Sequence, residues 1–258
     1  MHPILNIAIR AARKGGNNII QTYDKKIFNN LENKKILIQE IKKSYKIITY
    51  IIKKSYPKHH ILNNYNQFKL KNSKNPVWII NLIHGKKNFE KRFPSFCISI
   101  SIFFRNIINI SVIYDPLKNE IFTAVKGHGA QVNGYRMKSS NSNILHKSYL
   151  SSNINCVFLK NELFNYKILK NLLNKGVIFR TTSLIPLDLS YLSDGRIDCM
   201  LEFNFKIKNY YSGILHVRES GGIISDFKGG CNYKNKLAII ANNSRLLKLI
   251  INEIKLFI

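Results

Sequence analysis

The run W-I-I-N-L-I-H-G-K-K-N-F, from Trp78 to Phe89, joins a strand signal to a short polar turn. Val77 to Ile80 is aromatic and β-branched, which predicts a strand. Gly85 marks a turn. Lys86 and Lys87 beside it form a place where an anion such as phosphate could be held without a metal. His84 is a metal-ligating residue type, yet with Asn81 and Lys86 around it there are too few partners for a structural zinc, which wants four ligands. His59 and His60 read as solvated turn residues.

The same run resembles the W-I-[IV]-D-P-[IL]-D-G-T-[TV]-N-F signature of the inositol monophosphatase family, whose two aspartates hold magnesium. Further blocks follow in the family's order. They are M-H-P-I-L-N-I-A-I-R-A-A-R-K-G-G-N from Met1 to Asn17, K-S-Y-P-K-H from Lys54 to His59, and V-I-Y-D-P-L-K-N-E-I-F-T-A from Val112 to Ala124. G-H-G-A-Q-V-N-G-Y-R from Gly127 to Arg136 and V-R-E-S-G-G-I-I-S-D-F-K-G-G from Val217 to Gly230 complete the set. The resemblance covers nearly the whole chain and is strongest to the bacterial SuhB branch. It implies an α/β fold, a layered αβαβα sandwich of the sugar-phosphatase type. It also implies one domain over residues 1–258, with halves of about 1–140 and 141–258.

Family members hydrolyse phosphate monoesters with two or three magnesium ions that activate water and stabilise charge. Magnesium wants anionic oxygen ligands in near-octahedral order. By the resemblance, a ligand glutamate falls on Asn64, the two loop aspartates on Asn81 and His84, and the carbonyl ligand between them on Ile83. A threonine that orients the attacking water falls on Lys86, a later metal-binding aspartate on Asn209, and the last acid of an N-terminal D-x-V-T-x-x-D pattern on Ile41. At an effective dielectric of about 20, one unit charge at about 4 Å is worth roughly 4 kcal/mol, so neutral oxygens cannot restore what these replacements remove. The expectation is no tight magnesium site, no cofactor and no metal-dependent turnover. Gly85, Arg180 and Glu202 remain at substrate-side positions. T-S-L-I-P from Thr182 to Pro186 carries Ser183 where the family has glycine and Pro186 where it has alanine. A working phosphomonoesterase would need a rebuilt site, for which Glu40, Glu90 and Asp115 are the nearest acids in sequence.

With 258 residues, 45% of them hydrophobic, the chain is long enough to bury a full core. Its net charge of +27, from 41 Lys+Arg against 14 Asp+Glu, would suit an anionic partner. The joint richness in Lys, Asn, Ile, Tyr and Phe is also what coding DNA very rich in A and T produces, and such drift adds lysines to any solvated surface. Cys97, Cys156, Cys199 and Cys231 stand far apart with no zinc spacing, and read as mostly buried residues of a reduced, cytoplasmic protein. Arg105, Asn106 and Asn109 interrupt the apolar stretch from Phe96 to Tyr114, so it reads as two strands turning near Arg105 and Asn106 rather than a membrane span. The Asn/Lys-rich stretch from Asn63 to Asn75 reads as a surface loop.

Apolar periodicity predicts helices from Met1 to about Tyr23 and from about Lys35 to Ser55. Strands are expected at Phe96–Phe103, Ile107–Tyr114 and Ile121–Lys126. The second half alternates. Strands are expected near Val157, near Val177, at Cys199–Glu202, at Ile223–Ile224 and at Ala238–Ala241. Helices are expected at Asn165–Asn174, Pro186–Ser193 and Tyr211–Ser220, with a last one from Ser244. For a chain with this frame but without the carboxylates, the resemblance implies a Nus-type transcription factor. It would be a homodimer bound to NusA and the RNA polymerase antitermination complex, with contact to ribosomal RNA and none to membranes.

Overall fold

The computed structural model describes residues 2–24, 31–63, 74–152, 162–180, 182–205, 207–233 and 237–257, with the side chains of 31–37, 162 and 207–209 undescribed. The chain divides into two compact units, Met1–Tyr135 and Arg136–Ile258.

In the first unit, helices α1 (Pro3–Asp24) and α2 (Leu31–Ser55) precede a seven-stranded sheet. Its strands are β1 (His60–Leu62), β2 (Val77–His84), β3 (Cys97–Phe104), β4 (Ile107–Asp115), β5 (Glu120–Val125), β6 (Gly129–Val132) and β7 (Tyr135–Arg136), in sequence order across the sheet. A five-residue helix, α3 (Lys86–Glu90), follows β2. β1 runs parallel to β2, and the pairs from β2 through β6 are antiparallel. Side chains alternate along a strand, so Trp78, Ile80 and Leu82, then Ile98, Ile100 and Ile102, then Ile110, Val112 and Tyr114 share the face that packs with Ala8, Ala11, Ile19, Ile48 and Ile52 of the two helices. The opposite face holds Ile79, Cys97, Ser99, Ser101, Ser111 and Phe122, and these are buried too. Burial on both faces is why these strands read as unbroken apolar runs. Arg105 and Asn106 both have left-handed φ, 50° and 63°, as a two-residue hairpin turn requires.

The second unit contains β8 (Tyr149–Ser152), α4 (Glu162–Asn174), β9 (Ile178–Phe179), α5 (Ile185–Ser193), β10 (Cys199–Glu202), α6 (Ile207–Glu219), β11 (Ile223–Ser225), β12 (Ala238–Ala241) and α7 (Ser244–Lys255). The strand order is β11-β12-β10-β8-β9, with β8 parallel to β9 and β10, and β12 antiparallel to its neighbours. Leu150, Leu201, Ile239 and Ala241 form one core with Ile168 and Leu172 of α4 and Leu246, Ile250 and Ile254 of α7. Asn243 caps α7 by accepting from Leu246 N at 2.9 Å. α5 and α6 cross so closely that a Cβ on Gly213 would lie 2.4 Å from Leu189 Cδ1.

Several boundaries differ from the sequence expectation. α2 starts at Leu31 rather than Lys35, and α6 at Ile207 rather than Tyr211, because polar first turns lack the apolar period that marks a helix. The expected strand near Val157 and most of the Asn63–Asn75 stretch lie outside the described residues, and the strand at Tyr149–Ser152 was not expected from the sequence. Cys97 and Cys199 are buried but Cys231 is exposed, in a turn held by the Asp226 carboxylate; Cys156 lies outside the described residues. His59 is no loose turn residue: its Nδ1 accepts from Trp78 Nε1 at 2.9 Å, and its ring stacks on Tyr56 at 4.6 Å. His60 is exposed and opens β1.

Candidate functional site

The Trp78–Phe89 run begins as a fully paired strand and loses register against β3 between Asn81 and His84. That bulge turns both side chains to the same place. His84 Nε2 lies 2.8 Å from Ser99 Oγ, and Asn81 Nδ2 lies 3.4 Å from His84 Nδ1. The ring is thus held between the Asn81 amide and the Ser99 hydroxyl, each of which can donate or accept. Burial pushes the imidazole down to about 4, so the ring is neutral near pH 7. Gly85 follows at φ 82°, a left-handed turn that L side chains resist, and opens α3. Ile83 packs at the edge of the first core.

Magnesium does not fit these donors. Asn81 and His84 are held against each other and Ser99, and neither brings the negative charge that magnesium wants. Among the described residues no group of three or more His, Cys, Asp or Glu could hold a metal ion. Lys86 and Lys87 are exposed, and Lys86 Nζ lies 3.8 Å from Glu90.

The other predicted positions of this unit are engaged in packing or turns. Ile41 packs against the apolar core. Glu40 accepts from Asn18 Nδ2 at 3.3 Å and pairs with Lys43, stitching α2 to α1. Asp115 is buried and accepts from Leu117 N and Lys118 N, which closes the turn after β4. Of the three acids considered for a rebuilt site, Glu40 and Asp115 are thus tied to structure and Glu90 to Lys86. Asn64 lies outside the described residues.

In the second unit, Asn209 sits in the first turn of α6, with its side chain undescribed. Arg180 is exposed and stacks 5.5 Å over the Tyr149 ring. Ser183 has φ 58°, a left-handed conformation that residues other than glycine adopt uncommonly. Glu202 is buried, only 1% exposed, at the end of β10. Burial raises its carboxyl to about 7, against a hydrogen bond from Tyr210 and with help from the Asp188 charge. Its Oε1 has no hydrogen-bond partner among the described residues.

Asp188 is the acid that sequence reasoning missed. It is buried on α5 and accepts from Ser151 Oγ, Thr182 N and Thr182 Oγ at 3.1, 3.2 and 2.9 Å. Burial raises it to about 6 in spite of these bonds. The signal for it was a lone carboxylate inside the apolar run I-P-L-D-L.

Comparison with known proteins gives the family and the fold. The profile of the inositol monophosphatase family matches residues 1–256. The "Nus factor SuhB" of Buchnera aphidicola subsp. Schizaphis graminum is 45% identical over 98% of this chain and 97% of its own length. The crystal structure of extragenic suppressor protein suhB from Bartonella henselae superposes with a TM-score of 0.82 at 26% identity, covering 100% of each chain. The inositol monophosphatase of Anabaena sp. PCC 7120 shares the fold, with a TM-score of 0.78 at 22% identity over 99% of this chain and 96% of its own.

Proposed function

The chain belongs to the inositol monophosphatase family, and from that premise we propose that it acts as a Nus factor of the SuhB kind rather than as a phosphatase. It serves transcription antitermination on ribosomal RNA operons and the maturation of their RNA, as a homodimer docked on the acidic C-terminal region of NusA within the RNA polymerase complex. The full-length similarity to a Nus factor is the observation that carries this reading.

The loop chemistry supports it from the opposite side. A phosphoryl-transfer site of this family depends on metal-bound water and on cations that neutralise the developing charge. The loop instead offers a neutral imidazole, an amide and exposed lysines. The chain therefore supplies no acid for that step at Asn81 or His84, and keeps the frame as a binding scaffold.

Two measurements test the proposal together. The purified protein should release no phosphate from inositol 1-phosphate above background with magnesium, beside a family member that retains its carboxylates. It should copurify with NusA and RNA polymerase at low salt. Clear magnesium-dependent turnover without copurification would replace this reading by the phosphomonoesterase one.

A further inference from the structure

The outward side of α2 carries a basic stripe with an aromatic residue in its middle. Lys42, Lys43, Lys46, Tyr50, Lys53 and Lys54 are all exposed. At about 100° per residue they fall within an arc of about 120°. Ser44, Ile48 and Ile52 occupy the opposite side and are buried. The lysines are not equivalent. Lys43 pairs with Glu40 at 3.8 Å, and Lys53 Nζ donates to Pro57 O and His59 O at 3.0 and 2.6 Å, capping the helix end. Among the described residues no ion pair holds Lys42, Lys46 or Lys54. Tyr50 lies between them and is 67% exposed, although a ring of that size would gain by burial.

We propose that this face of α2 binds single-stranded RNA, with Lys42, Lys46 and Lys54 on successive phosphates and the Tyr50 ring stacked on a base. The proposal rests on the role in ribosomal RNA maturation proposed above. Flexible lysines that track a backbone, with an aromatic side chain among them, are the ordinary means of sequence-tolerant single-strand binding. A single strand uses both features of this face at once, phosphates on the lysines and a base on the exposed ring, and an acidic protein surface is the competing occupant that the test below separates from it. The helix is also rigidly seated: its last turn is fixed by the Lys53 contacts and by the Tyr56 ring stacked on His59.

The test is fluorescence anisotropy of the purified full chain with a short uridine-rich RNA strand, across about 50 to 300 mM salt. Lys42→Gln/Lys46→Gln/Lys54→Gln should flatten the plot of log affinity against log salt by about two units, since each phosphate contact contributes about 0.7 for a single strand. Tyr50→Ala should weaken binding about tenfold or more at every salt concentration. Lys167→Gln/Lys170→Gln/Lys248→Gln removes the same charge from exposed lysines of α4 and α7 and should leave the slope nearly unchanged. An equal flattening by this control would overturn the proposal, because the binding would then belong to the net charge. Loss of a polyglutamate peptide with RNA affinity retained in the α2 variant would overturn it in favour of an acidic protein. Failure to copurify with NusA, with these RNA results as expected, would sink the proposed function and leave the surface standing.

Discussion

At the scale of single residues, the site is defined by the buried, neutral ring of His84. Its folded pKa of about 4 lies below the ordinary 6.5, so between those values the unfolded chain binds a proton that the folded ring refuses. This contribution is therefore fully present above about pH 6.5 and is lost as pH falls toward 4, by up to roughly 3 kcal/mol. Thermal melts should show the advantage of the wild type over His84→Gln shrinking across that window. Glu202 has the opposite sign. Its carboxyl is raised to about 7, so its contribution is present below about 4.5 and is lost as pH rises through 7. Glu202→Gln should melt above the wild type at pH 8, and the gap should close by pH 5. Asn81 and His84 could be singled out in the sequence, since both lie in one recognisable run, and the structure brings their side chains together. The partner of His84 was not, because Ser99 reaches it only through the pairing of β2 with β3, and register is a tertiary choice.

Among elements, α5 and α6 pack closely at Gly213. A Cβ there would stand 2.5 Å from Leu189 Cβ, which is anchored to backbone and cannot swing aside. Gly213→Val should destabilise the second unit by about 3 kcal/mol through overpacking, a loss of several degrees in a calorimetric melt. Melting at or above the wild type would show that the helices can part freely. Strands such as Cys199–Glu202 and Ala238–Ala241 were legible to the residue, because short apolar runs between turn residues have few other readings. α3 was not. Five residues are too few to show a helical period, and its start depends on the left-handed turn at Gly85. The role of His59 escaped for a related reason: Trp78 is far from it in sequence, and only the parallel pairing of β1 with β2 brings the two together.

For the whole molecule, the family resemblance was readable because its blocks recur in order along the chain, independent of any one residue. The charge of +27 was equally plain but says nothing about fold. Ligand linkage gives a test at this scale. An ion that binds the native state raises stability with its concentration above the dissociation constant. Magnesium at about 10 mM should leave the melting temperature of this chain unchanged, while a carboxylate-bearing relative gains several degrees. No helix among the described residues is long and apolar enough to cross a membrane, in keeping with the interruptions read at Arg105 and Asn106.

The contacts of His84 with Asn81 and Ser99 also set what the loop can tolerate. An aspartate placed alone at either position would put a carboxylate in a half-buried place among uncharged neighbours, with nothing to meet its charge. Each such change loses stability by itself. The loop is therefore closed to single acidic substitutions, and only several residues changed together could turn it toward a cation.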